Sequence, residues 1–334
     1  MGRPYRRTVY VIEDWEFHRD GRRHLKNLRT FPKSEVLNGL LEPSFLCVGS
    51  SVFVCVYETL RATQPHFGFL PSLCVDAIPF ELTSSALGLL LVFRTEASYA
   101  RWLDARKSLA AVSASCRDAG RQAITWFHKE DELLAQAFVR WTKAYSKTLQ
   151  HHLRGCKNDN DLVTDLSGYL EPQEIERVRE ARHRPLFVMQ MMTVIANQAK
   201  LNSDQHVALD VNLCELGVAL SECERILTTP VPLSYTRFTD RFLLTWLVLL
   251  PSCLYPTCHW WCPPIEFFTA VLLLGIEEVG VQIEEPFSIL PMEVLAADTV
   301  ELLDKLALAR EQMFDLLPQT ARVRPNEKFS GRDI

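Results

Sequence analysis

Between Phe242 and Cys262 the chain runs for 21 residues without a single Lys, Arg, Asp or Glu. A bilayer core takes roughly 20 helical residues at about 1.5 Å each. A stretch of this kind directs the whole reading toward a membrane protein. It also makes average composition misleading: 48% hydrophobic and 23% charged residues over 334 positions are ordinary globular values, and the net charge of -5 says little about partners. The contrast is local and has to be read locally.

Three weaker segments join this one. The first runs from about Glu42 to Leu60, uncharged between Phe45 and Tyr57. The second runs from about Leu70 to Phe93 and carries Asp76 and Glu81. The fourth runs from about Pro264 to Ile283, with an uncharged core from Phe267 to Ile276 ahead of Glu277 and Glu278. The positive charges order them, because Lys and Arg are retained on the inner side during insertion. Residues 1–40 carry nine; the link between the first two segments carries only Arg61, and Leu254 to Pro264 carries none. Two hairpins follow, with both termini and the charged middle on one side.

The expected divisions are therefore an N-terminal helical segment (1–41), a first pair of spanning helices (42–93), a soluble helical domain (94–241), a second pair (242–283), and a C-terminal helix and tail (284–334). In the middle, Leu134, Phe138, Trp141, Tyr145 and Leu149 fall at helical spacing, as do Leu209, Leu213, Leu216, Leu220, Cys223 and Leu227. A further helix is expected from about Asp298 to Leu317, with Asp298 as its N-cap, and the polar tail after Gln319 is expected to be disordered. No signal or transit peptide is expected, since Arg3, Arg6 and Arg7 are not followed by an apolar run. The ten cysteines lack the spacing of a disulfide scaffold. Cys258, His259 and Cys262 come nearest to a metal-ligand group, a disulfide among Cys253, Cys258 and Cys262 is the competing reading of that loop, and no metal or other cofactor is expected.

Ionisable groups inside spanning segments are costly and usually face a bundle interior or a water-filled path. Here they gather in the second and fourth segments, which points to a pore or transporter. In the second, Pro79 suits a first helical turn, and Glu81 then reads either as a carboxylate favoured by the helix dipole or as a gating residue. Ser85, Leu89 and Phe93 share one helical face. Such a stripe is packing core in an ordinary bundle and a dewetting constriction if several copies surround an axis. Gly88 would permit close helix approach, and Arg94 and Arg101 read as positive-inside anchors or as concentrators of anions. No His-Glu-x-x-His, nucleophile elbow or Walker loop supports catalysis, so no enzyme and no nucleic-acid partner is expected.

Four blocks carry a family resemblance: Tyr10 to Asn27; Ile78-Pro79-Phe80 through Leu87-Gly88-Leu89-Leu90-Leu91-Val92-Phe93-Arg94 with Ser98-Tyr99-Ala100-Arg101-Trp102; Pro232-Leu233-Ser234-Tyr235-Thr236-Arg237; and Gly275-Ile276-Glu277-Glu278 through Glu284-Glu285-Pro286-Phe287. Through them the chain resembles the bestrophin-like anion channels, above all the plant and algal thylakoid voltage-dependent chloride channels. The resemblance implies an all-α membrane protein with four spanning helices per subunit, assembled as a homopentamer around one pore. It implies a neck at Ser85, Leu89 and Phe93, with Pro79, Ser84, Arg94 and Arg101 along the anion path, and a second constriction within Ser203 to Leu209. A polar Ser85 stands where an apolar residue is usual, so the constriction is expected to be shorter or wetter. Calcium-gated relatives follow the Pro-Phe motif with acids that clasp calcium. Here Ser288-Ile289-Leu290-Pro291-Met292-Glu293 follows instead, implying calcium-independent opening, with Glu284 and Glu285 as structural ion-pair partners. Chloride, with nitrate or bicarbonate as further anions, and membrane lipids are the implied partners, in a thylakoid or alternatively a bacterial-type inner membrane. The rivals are a bicarbonate channel of the same fold and a non-conducting membrane scaffold.

Overall fold

The computed structural model describes residues 9, 12–19, 21, 35–64, 66, 69–155 and 159–316. Parts of the first matching block, Cys156 and the tail after Gln319 lie outside the described residues. Among the described residues the chain is all-α: twelve α-helices, two short 3-10 turns and no strand. They form two compact units, one made of Tyr10–Leu103 and Thr229–Pro286, the other of Asp104–Thr228 and Phe287 onward.

The first unit contains α1 (Ile12–Arg19), α2 (Glu35–Thr63), the opening half of α3 (Ile78–Trp126), α9 (Leu233–Cys258) and α10 (Cys262–Glu284). Its core joins Leu40 and Cys47 of α2, Leu87 and Leu91 of α3, Leu243 and Leu247 of α9, and Ala270 and Leu274 of α10. Around that core the large side chains point outward: Phe45, Phe53, Leu249, Phe268 and Leu272 are all more than half exposed. An apolar exterior over helices that satisfy their own backbone is what a lipid solvent selects. Among the described residues two helices are long and apolar enough to cross a membrane by length and composition alone, α2 from Gly39 and α3.

Two of the expected spanning segments are redrawn. The second does not begin at Leu70 or end at Phe93. Residues 70–77 are non-helical, α3 starts at Ile78, and it runs on through Arg94 to Trp126. The link is held by the buried Glu58, whose Oε1 accepts from Leu73 N at 2.6 Å and Ser72 Oγ at 3.0 Å, while Arg61 Nε donates to Leu70 O at 3.0 Å. The stretch Phe242 to Cys262 is not one helix either. It breaks at His259, the single non-glycine residue among those described with a positive φ (46°), and turns into α10. Trp260 and Trp261 stand exposed on that turn, the amphipathic aromatics expected where a hairpin meets a membrane interface.

The second unit contains the rest of α3, then α4 (Glu132–Arg154), α5 (Asp159–Leu166), α6 (Pro172–Glu180), α7 (Arg184–Gln198), α8 (Ser203–Thr228), α11 (Pro286–Ile289) and α12 (Met292–Asp315). The α4 stripe Phe138, Trp141, Tyr145 and Leu149 is buried, and so are Leu209, Leu213, Leu216, Leu220 and Cys223 of α8. Leu134 is only half-buried and Leu227 is exposed. Gly120 of α3 lies against the buried Leu303 of α12, so closely that a Cβ there would collide with the leucine's methyl. Asp298 is not the N-cap of the C-terminal helix. That helix starts at Met292, with Pro291 O accepting from Leu295 N at 3.1 Å, which places Asp298 inside it.

Candidate functional site

The start of α3 is set by Asp76, whose Oδ1 accepts from Ile78 N at 3.4 Å, and by Ala77 O, which accepts from both Phe80 N and Glu81 N at 3.0 Å. Pro79, second in the helix, has no N–H to leave unsatisfied. Glu81 is exposed in the first turn, where the positive end of the helix dipole favours a carboxylate. Ser84 Oγ donates to Glu81 O at 2.8 Å, so its proton is held along the helix.

From there α3 shows two unlike faces. Leu87, Leu91 and Arg94 are 2%, 3% and 3% exposed, packed within the unit. Ser85, Leu89 and Phe93, one turn apart on another face, are exposed, the last two by 54% and 56%, and Leu82 extends the stripe. A Cβ on Gly88 would meet nothing within 4 Å, so the close approach expected there has no partner among the described residues. Two aromatic residues that sequence reasoning passed over fix the rotation of α3. Tyr235 Oη donates to Leu90 O at 3.2 Å, and Trp246 Nε1 donates to Thr83 Oγ1 at 3.1 Å while its ring meets Phe80 edge-on at 5.8 Å. Tyr235 lies in one of the matching sequence blocks, and that position was the available signal.

The basic residues below the stripe are engaged within the unit. Arg94 pairs with Asp240 of α9 and, at 2.7 Å, with Glu277 of α10. Its guanidinium therefore ties three helices together and offers little surface to a passing anion. Arg101 donates from Nε to Glu284 O at 3.2 Å and from a guanidinium nitrogen to Thr229 O. Glu284 Oε1 accepts from the backbone N of Val231 at 3.2 Å: it serves the backbone where an ion pair was expected. Glu285 is exposed at the end of α10. The charge-based borders at 94 and 242 fall inside this unit because Arg94 and Asp240 neutralise each other there.

In the second unit, Ser203 to Leu209 form the opening turns of α8, where Val207 is 61% exposed and Leu209 is buried. Arg154 closes the segment after the Pro-Phe motif. Its guanidinium donates to Ser288 O at 3.2 Å and Leu290 O at 3.1 Å and pairs with Glu293 at 2.9 Å. In the α9–α10 turn Cys253, Cys258 and Cys262 are free thiols, and Cys258, His259 and Cys262 do not gather into a metal-sized group among the described residues.

Comparison with known proteins gives a consistent result. Residues 15–304 match the family described as Bacterial/Fungal Bestrophin protein. Among curated proteins the chain is 34% identical, over 92% of its length and 74% of the relative's, to voltage-dependent chloride channel 2, chloroplastic, of Arabidopsis thaliana. It is 32% identical to a voltage-dependent anion channel-forming protein of Ralstonia nicotianae, over 71% of this chain and 78% of that protein. Among solved structures it is similar to a bacterial bestrophin homolog from Klebsiella pneumoniae at 24% identity, with a TM-score of 0.71 over 80% of this chain and 98% of the other. That last likeness concerns the fold.

Proposed function

We propose, from the premise that the chain belongs to the bacterial and fungal bestrophin family, that it is an anion-selective channel passing chloride down its gradient through one pore at the axis of a homopentamer. Each subunit supplies four spanning helices, α2, the start of α3, α9 and α10, and the stripe Ser85, Leu89 and Phe93 forms the neck. The observation that carries this reading is the split character of α3. Among the described residues Leu89 and Phe93 stay more than half exposed, although Leu87, Leu91 and Arg94 on the same turns are buried. Turned toward a shared axis, such a stripe makes a hydrophobic constriction that gates by dewetting.

The chemistry at the outer end supports the passage of an anion. The N-terminus of α3 presents the positive end of its dipole, and Ser85 adds a hydroxyl at the outer level. Arg94, neutralised by Glu277 and Asp240, acts in this reading by holding α3 in register, and Arg101 holds the chain at Thr229. Opening without calcium is supported at Ser288 to Glu293, where the Arg154 cation already occupies the carbonyl oxygens and the carboxylate. The relatives named chloroplastic favour a chloroplast membrane; in the thylakoid, anion flow would offset charge carried by protons.

Purified protein in planar bilayers tests the reading. The expected result is a chloride-selective current that calcium chelation leaves unchanged. A bicarbonate permeability well above that of chloride would favour the bicarbonate channel of the same fold. Assembled protein that conducts no anion would leave a membrane scaffold.

A further inference from the structure

Away from the neck, in the second unit, three ligand-type side chains from three helices converge. His152 comes from the last turn of α4, His183 stands at the N-cap of α7, and Glu224 comes from the last turns of α8. Both imidazole Nε2 atoms lie 2.7 Å from the same oxygen, Glu224 Oε1. The two rings are 5.0 Å apart and tilted by 36°. All three ligand atoms fall within 4.8 Å of one another, the one such group among the described residues. Their side chains are 29%, 34% and 31% exposed, and His183 and Glu224 border an open groove of about 620 Å³.

We propose that His152, His183 and Glu224 form a binding site for a divalent transition metal of the zinc class, with water from the groove as fourth ligand. Two imidazole nitrogens and one carboxylate oxygen are a donor set that zinc takes at about 2.0–2.2 Å in tetrahedral geometry. Two imidazole edges aimed at a single oxygen leave each nitrogen a short step from such a position. Legs of that length subtend roughly 3.3 Å between ligand atoms, so each 2.7 Å contact opens by about half an ångström as the ion enters. The protons balance as follows. His183 Nδ1 accepts from Leu186 N at 3.3 Å, so the proton of the neutral ring sits on Nε2. Coordination through Nε2 moves that proton to Nδ1 and gives up this long cap contact, and an imidazolium releases its second proton to solvent. Because the ligands come from α4, α7 and α8, the ion cross-links three elements, and its binding free energy adds to the stability of the unit.

Equilibrium dialysis of the full-length protein in detergent, stripped with a chelator and then offered Zn²⁺ or Co²⁺, tests the assignment. The expected result is one ion per chain, with the strong visible absorption of tetrahedral Co²⁺ and a rise in melting temperature. His183→Ala should weaken binding at least about tenfold, the scale of losses seen when even outer partners of a metal site are removed. Glu224→Gln, which keeps a hydrogen-bonding group between the imidazoles, should do the same should His183→Ala fail to assemble. Cys258→Ser with Cys262→Ser should leave binding unchanged. Stripped wild-type protein that takes up no ion, or Glu224→Gln protein that binds as tightly as wild type, overturns the proposal.

Discussion

In the unit built from the end of α3, α4 to α8 and α12, the aromatic residues Phe138, Trp141 and Tyr145 are sealed from solvent. In the unit built from α2, α9, α10 and the start of α3, Phe45, Phe53 and Phe268 point outward, while Ser44, Ser51, Arg94 and Glu266 are buried. The named aromatic side chains thus lie inside one unit and outside the other. The first arrangement minimises apolar area against water. The second holds Arg94 against its carboxylates inside the unit and leaves hydrocarbon to meet hydrocarbon. One chain is written for two solvents, and the proposed neck gives the exposed stripe Ser85, Leu89 and Phe93 a third setting, a shared axis.

The sharpest way to break the comparison is truncation on each side of it. Trp141→Ala is expected to cost about 3–5 kcal/mol of stability, the range for large core aromatics. Phe268→Ala, at a position 66% exposed, is expected to stay within about 0.5 kcal/mol. Thermal unfolding in detergent compares the two, and equal losses would erase the distinction. Arg94→Ala should also be severe, about 3–5 kcal/mol, since it strands the mostly buried Glu277 carboxylate without its cation. The double variant Arg94→Ala with Glu277→Gln should recover part of that loss, and failure to recover any would mean that the pair is not the element linking α3 to α10.

At the proposed neck the expectation reverses. Leu89→Ala with Phe93→Ala should change the melting temperature little, because neither side chain is packed within the subunit, yet should raise conductance or leak. Unchanged currents from correctly assembled protein would return both residues to an unremarked surface. The smallest effect concerns thiols in the water-facing core. Burial pushes Cys116 and Cys223 up to about 12, so both should resist maleimide at pH 8, while the exposed Cys214 reacts. The folded state holds their protons more tightly than the unfolded chain does. The corresponding stability is therefore complete below the ordinary thiol value near 9 and is lost as pH rises from there toward 12, which melting curves across that window would record.

Much of the fold was legible because it follows period and charge. The α4 and α8 stripes repeat at helical spacing, and their burial follows for all but the terminal Leu134 and Leu227. What was not legible depends on partners distant in sequence. Arg94 looked like the end of a spanning helix because its neutralising carboxylates, Asp240 and Glu277, lie on helices formed much later in the chain. The break at His259 was hidden inside an uncharged run, where charge counting has nothing to register. Asp298 resembles a cap because acidic residues favour helix starts, whereas Pro291 and the first-turn Glu293 mark the true one. The meeting of His152, His183 and Glu224 left no local pattern, since their spacing fits no metal motif and only the packing of α4, α7 and α8 brings them together.

Single-particle imaging of the purified protein in a lipid nanodisc tests the arrangement of the neck most directly. Five-fold particles with a central hole, narrowest where Ser85, Leu89 and Phe93 converge, are the expected result. Particles in which those three side chains face the lipid, or lone subunits with no enclosed axis, would contradict it.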